Sequence, residues 1–170
     1  MSYLSNLISK GDMEKLRTLI LEQKYLIKES QGMRAVSQAI REDKIEIVQL
    51  LIECGAEVND LDNIHYSHEI PISHAAYQGN YEMVKLLIDS GAEVNTSDED
   101  PEYWNPLMCG VSSGKLDVVQ LLVEAGADVN QLRDGGNCAL NIAASLGFQD
   151  IFEYLNYLSN LPIQYSDNIN

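Results

Sequence analysis

Three segments of the chain are alike: Cys54-Gly-Ala-Glu-Val-Asn59, Ser90-Gly-Ala-Glu-Val-Asn95 and Ala125-Gly-Ala-Asp-Val-Asn130. Their glycines recur about every 35 residues, a period that belongs to serially stacked modules and not to a closed globule. A second landmark, Asp43, Gly79 and Gly114, lies about twelve residues before each of them, and the same frame extends back to Gly11 and on to Gly147. The chain is thus expected to hold about five units. Each unit is too short to bury its apolar face alone and finds its core against its neighbours.

Between the two landmarks the apolar residues fall on one broad helical face: Ile45, Ile47, Val48, Leu50, Leu51 and Ile52, then Met83, Val84, Leu86, Leu87 and Ile88, then Leu116, Val118, Val119, Leu121, Leu122 and Val123. A carboxylate column (Glu14, Glu46, Glu82, Asp117, Asp150) meets the positive end of each helix dipole, which assigns it to stability. Gly55, Gly91 and Gly126 suit left-handed helix ends, whereas the last helix has Ser159 at that position. Upstream of each middle landmark a second short helix has small residues on one side (Ala39, Ala75 with Ala76, Gly110, Ala143 with Ala144), and Pro71 and Pro106 fit two first turns. The unit is helix, turn, helix, extended loop.

Pro71-Ile-Ser-His-Ala-Ala-Tyr-Gln-Gly79, followed by Met83-Val-Lys-Leu-Leu-Ile88 and Gly91-Ala-Glu-Val-Asn95, resembles the repeat of the ankyrin family, and the likeness runs over roughly residues 3–158. It implies an all-α solenoid of about five helix-turn-helix repeats (about 1–33, 34–66, 67–102, 103–135 and 136–158) with β-hairpin finger loops, followed by a tail, 159–170. The tail, with Pro162, either packs Ile163 and Tyr165 over the end of the stack or frays over its final five residues. The family's Thr-Pro-Leu-His tetrapeptide is nowhere intact. Ile70, Asn105 and Cys138 stand at its Thr position, and Ser73, Met108 and Asn141 at its His position, so hydrogen bonds between repeats are expected from Asn105 and Asn141 instead.

The resemblance also implies a concave binding face made of finger tips and inner helices. Because the helical part of each unit keeps its length, the extra residues fall in two long fingers. The first offers Asp60, Asp62, His65, Tyr66 and His68; the second offers Asp98, Glu99, Asp100 and Glu102 beside Tyr103 and Trp104, the sole tryptophan. Aromatic rings give large, stiff contact area and carboxylates pair with cations, so these are candidate partner contacts. Tyr77 with Gln78, Ser112 with Ser113, Ser145 with Leu146, and His74 one turn earlier are expected on the adjoining helices. Arg133 and Asp134 belong to the last finger, where Gly135-Gly136 marks a tight turn.

Charge narrows the partner. The chain has 11 Lys and Arg against 26 Asp and Glu, a net charge of −15, and beyond residue 44 its only cations are Lys85, Lys115 and Arg133. Such a surface repels nucleic acid and anionic membrane and favours a basic protein. No run approaches the length of a membrane span, and no signal-like segment opens the chain, so a cytoplasmic monomer is expected.

Chemistry finds little footing. His65 and His68 with nearby acids lack the supporting shell of a metal site, and the acidic runs lack the glycine and closing glutamate of a calcium loop. Cys54, Cys109 and Cys138 match neither a zinc nor a disulfide spacing, and they occupy columns held elsewhere by Ser90 and Ala125, by His74 and Ile142, and by Ile70 and Asn105, as interchangeable fillers would. There is no phosphate loop, zinc-protease helix or nucleophile elbow. The expectation is a noncatalytic protein binder without cofactor: an acidic inhibitor or immunity protein that occludes a toxin or nuclease, with a scaffold or adaptor as the alternative and an enzyme as a remote one.

Overall fold

A computed structural model describes residues 3–23, 30–59, 70–95, 104–133 and 136–160. Among them are ten helices in five antiparallel pairs: α1 (Tyr3–Lys10) with α2 (Met13–Glu22), α3 (Ser30–Arg41) with α4 (Ile45–Glu53), α5 (Pro71–Tyr77) with α6 (Tyr81–Asp89), α7 (Pro106–Ser112) with α8 (Leu116–Glu124), and α9 (Ala139–Leu146) with α10 (Gln149–Ser159). The first helices of successive pairs pack in one row, α1, α3, α5, α7 and α9, and α4, α6, α8 and α10 form a second. One apolar core runs between the rows from Leu4 to Leu155.

Each landmark in the sequence is a helix end. At the turn inside each pair the backbone enters the left-handed region, at Gly11 (φ 68°), Gly79 (67°), Gly114 (70°) and Gly147 (73°). Asp43 takes the same conformation (φ 54°), the one non-glycine among the described residues to do so. Its carboxylate accepts a hydrogen bond from Asn80 at the equivalent turn of the next repeat. The Gly-Ala pair after each second helix performs one task three times. The Gly55 N–H donates to Ile52 O (2.8 Å) and the Ala56 N–H to Leu51 O (2.9 Å), with the same pair of bonds at Gly91-Ala92 and Gly126-Ala127. These are paired C-terminal caps that satisfy carbonyls the helix leaves open. Without such a glycine α10 continues to Ser159, whose hydroxyl donates back to Leu155 O.

The small-residue column sits where helices press together. A β-carbon added to Gly110 would meet Leu122 Cδ1 at 2.9 Å. Ala39, Ala75 and Ala143 in the same column are fully buried. The carboxylate column occupies the first turn of α2, α4, α6, α8 and α10, with Asp117 and Asp150 accepting backbone N–H bonds there.

Further side-chain hydrogen bonds join successive repeats. Asn59 donates to Gly91 O (2.6 Å) and accepts from the Glu93 N–H (2.9 Å). Asn95 repeats this with Gly126 O (2.9 Å) and Asp128 N–H (2.8 Å). Asn105 caps α7 through the Met108 N–H (2.8 Å) while its amide donates to Gln131 (2.7 Å), and Asn141 donates to Gly136 O, so both expected bridging residues bond within their own repeats. At the first junction Lys44 Nζ reaches Ile8 O (2.7 Å) and Ser9 O (2.6 Å), a cation closing the C-terminal end of α1.

The finger segments 60–69 and 96–103 lie outside the described residues, as does the expected packing of Ile163 and Tyr165. In the last finger Arg133 bridges Asn137 across a tight turn with Gly136 at φ 75°. The Arg133 N–H donates to Asn137 O (2.8 Å).

Candidate protein-binding face

The two residues before each interhelix turn end the inner helices side by side. On α5 these are Tyr77, 61% exposed, and Gln78, whose amide reaches back weakly to Arg41 O of the preceding repeat (3.5 Å). On α7 they are Ser112 and Ser113, both half-buried, and on α9 Ser145 and Leu146, both exposed. The serines are less adaptable than their type suggests. Ser112 donates to Cys109 O (2.8 Å), Ser113 to Gly110 O (2.6 Å) and Ser145 to Ile142 O (2.9 Å), each hydroxyl satisfied by its own helix. The large open apolar side chains at these helix ends are therefore Tyr77 and Leu146, with serines between them whose hydroxyl protons are already committed. His74 is half-buried one turn back on α5.

Trp104 sits immediately before the α7 cap residue Asn105, with 37% of its surface open. Arg133 differs from its expected role. It is only 6% exposed, held at the finger's bridge, and so presents little to a partner. Leu132 beside it is 65% exposed. Asp62, His65, Tyr66, His68, Asp98, Glu99, Asp100, Glu102, Tyr103 and Asp134 lie outside the described residues.

On the opposite side, α6 and α8 form a shallow groove of about 310 Å³ lined by Tyr81, Asp117, Gln120, Leu121 and Glu124. Burial and the nearby Glu124 raise the Tyr154 hydroxyl above its ordinary pKa. Cys109, buried against α5, has its thiol pushed up to about 12 by desolvation, with the Ser73 hydroxyl beside it pulling weakly the other way. A thiol so placed is a core filler and a poor nucleophile. Among the described residues no group of three or more His, Cys, Asp or Glu is arranged to hold a metal ion. None of their helices is long and apolar enough to cross a membrane.

The serial frame, the repeated caps and the two helix rows agree with comparison to known families. The profile described as "Ankyrin repeats (3 copies)" matches residues 72–164, more than half of the chain, and that described as "Ankyrin repeat" matches residues 31–63. The chain belongs to the ankyrin repeat family. Its ankyrin repeats are a module for protein–protein interaction. A comparison with curated proteins gives no match.

Proposed function

We propose that this ankyrin-repeat protein is a noncatalytic binder that grips a basic protein through its inner-helix face and fingers, and that it acts as an inhibitor or immunity protein by covering the working surface of a toxin or nuclease. The observation that carries the reading is charge. Net charge is −15, and two of the three described ion pairs, Lys15–Asp12 and Lys44–Glu42, consume cations of the first 44 residues. Of the three cations beyond them, Lys85 is paired with Asp89 and Arg133 is buried. A surface of that balance speeds encounter with a positive partner and disfavours acidic ones. Tyr77, Leu146 and Trp104 supply the apolar anchors that charge alone lacks.

The test begins with affinity capture from native lysate, followed by calorimetric titration of the captured protein. Affinity is expected to fall as salt rises from about 0.05 to about 0.5 M. Trp104→Ala is expected to weaken binding about tenfold or more without lowering Tm. Loss of the captured protein's own activity in the complex supports inhibition, and full activity in the complex makes the chain an adaptor. A salt-independent affinity removes the acidic reading.

A further inference from the structure

Counted from the interhelix turn, certain columns are sealed in the earlier repeats and open in the last. Ile8, Ile40, Ala76 and Val111 are wholly buried, and their counterpart Ala144 is exposed. Val36, Ile72 and Leu107 are at most 1% exposed, whereas Leu140 is half-buried. Leu16, Val48, Val84 and Val119 are wholly buried, whereas Phe152 is half-buried. These are the positions each repeat turns toward the next. On α9 and α10 they form an apolar face of the shape that a following layer covers elsewhere in the stack. The opposite end is different, because Lys15 stands where Ile47, Met83, Val118 and Ile151 face the preceding repeat, and its side chain is 67% exposed. The sequence closes that end with a charge and leaves this one apolar.

We propose that residues 161–170 of this chain dock across the α9–α10 face. Their sequence, Leu161-Pro-Ile-Gln-Tyr-Ser-Asp-Asn-Ile-Asn170, starts at the rim, directly after the α10 cap residue Asn160. Leu161, Ile163 and Tyr165 alternate, and alternate residues of an extended segment share one side. Ten residues reach about 33 Å when extended, enough to cross two helices of about 10 Å each. Asp167 is the segment's only charge, in a chain that is otherwise rich in acids. The family match also continues past α10, to residue 164. With Pro162 near its start and apolar residues at alternate positions, the proposed cover is an extended strap.

Hydrogen exchange read by mass spectrometry on the full chain and on an Ile163→Ser/Tyr165→Ser variant tests this, with light scattering on both. The strap predicts α9 and α10 amides exchanging about tenfold faster in the variant, α5 and α6 amides unchanged, and a monomer throughout. Equal exchange in the two proteins overturns it. So does a mass that doubles with concentration, which assigns the face to a second copy, or slowing of α9 and α10 only when another protein is added.

Discussion

At the scale of single residues, the most constrained charge is Glu42. Its carboxylate accepts from Lys44 Nζ (2.8 Å), Gln38 Nε2 (2.9 Å) and Ser9 Oγ (2.8 Å), which hold its pKa down to about 2. A carboxylate whose folded pKa is depressed stabilises the protein above its ordinary pKa of 4.5, and the contribution is lost as pH falls from there toward 2. The side chain is 31% exposed, so solvent screens the group. Glu42→Gln is expected to cost about 1 kcal/mol at pH 7. Urea titrations of both proteins check the sign: the gap narrows steadily between pH 4.5 and 2, and a gap constant over that range removes the assignment. Nothing in the local sequence announces this cluster, because Ser5, Ser9 and Gln38 come together only when α1 packs on α3. Asp43 was legible by contrast. The repeat frame puts it where other units have glycine, and the backbone there is left-handed as that frame requires.

At the scale of elements, the turn glycines separate two costs that sequence alone merges. Gly11 and Gly114 have nearly the same φ, but a β-carbon at Gly11 would meet nothing within 4 Å while one at Gly114 would meet Phe148 Cζ at 2.9 Å. Gly11→Ala is expected to lose about 1 kcal/mol from left-handed strain alone. Gly114→Ala is expected to lose about 3 kcal/mol, since the α10 cap residue Phe148 has to shift as well. Thermal unfolding of the two variants measures the difference, and equal losses would show that the Phe148 ring yields freely. The helices themselves were plain in the sequence because an apolar face at helical spacing and a Gly-Ala end recur in phase. The staples at Asn59 and Asn95 were visible only as letters of a motif. Their partners, Gly91 and Gly126, are one repeat away, and pattern within a unit cannot reveal a bond between units. The inner-face serines show a related limit: residue type does not tell that a hydroxyl is already bonded to its own helix.

At the scale of the whole molecule, the stack gives a small acidic protein a row of helix ends, with exposed apolar points at Tyr77 and Leu146. In the proposed function, long-range attraction is what brings a basic partner close, and these points are what set orientation and lifetime. The fold was legible because a period repeated in phase is a global signal. Exposure on the proposed binding face is less readable from sequence, since burial of Arg133 and exposure of Leu132 are decided by how one finger closes. The central claim is tested most directly by a hydrogen-exchange footprint of the chain with its captured partner. The account predicts slowed exchange at the C-terminal ends of α5, α7 and α9, with the Tyr81–Glu124 groove on α6 and α8 unchanged. Protection confined to α6 and α8, with the inner helix ends exchanging as in the free protein, would contradict it.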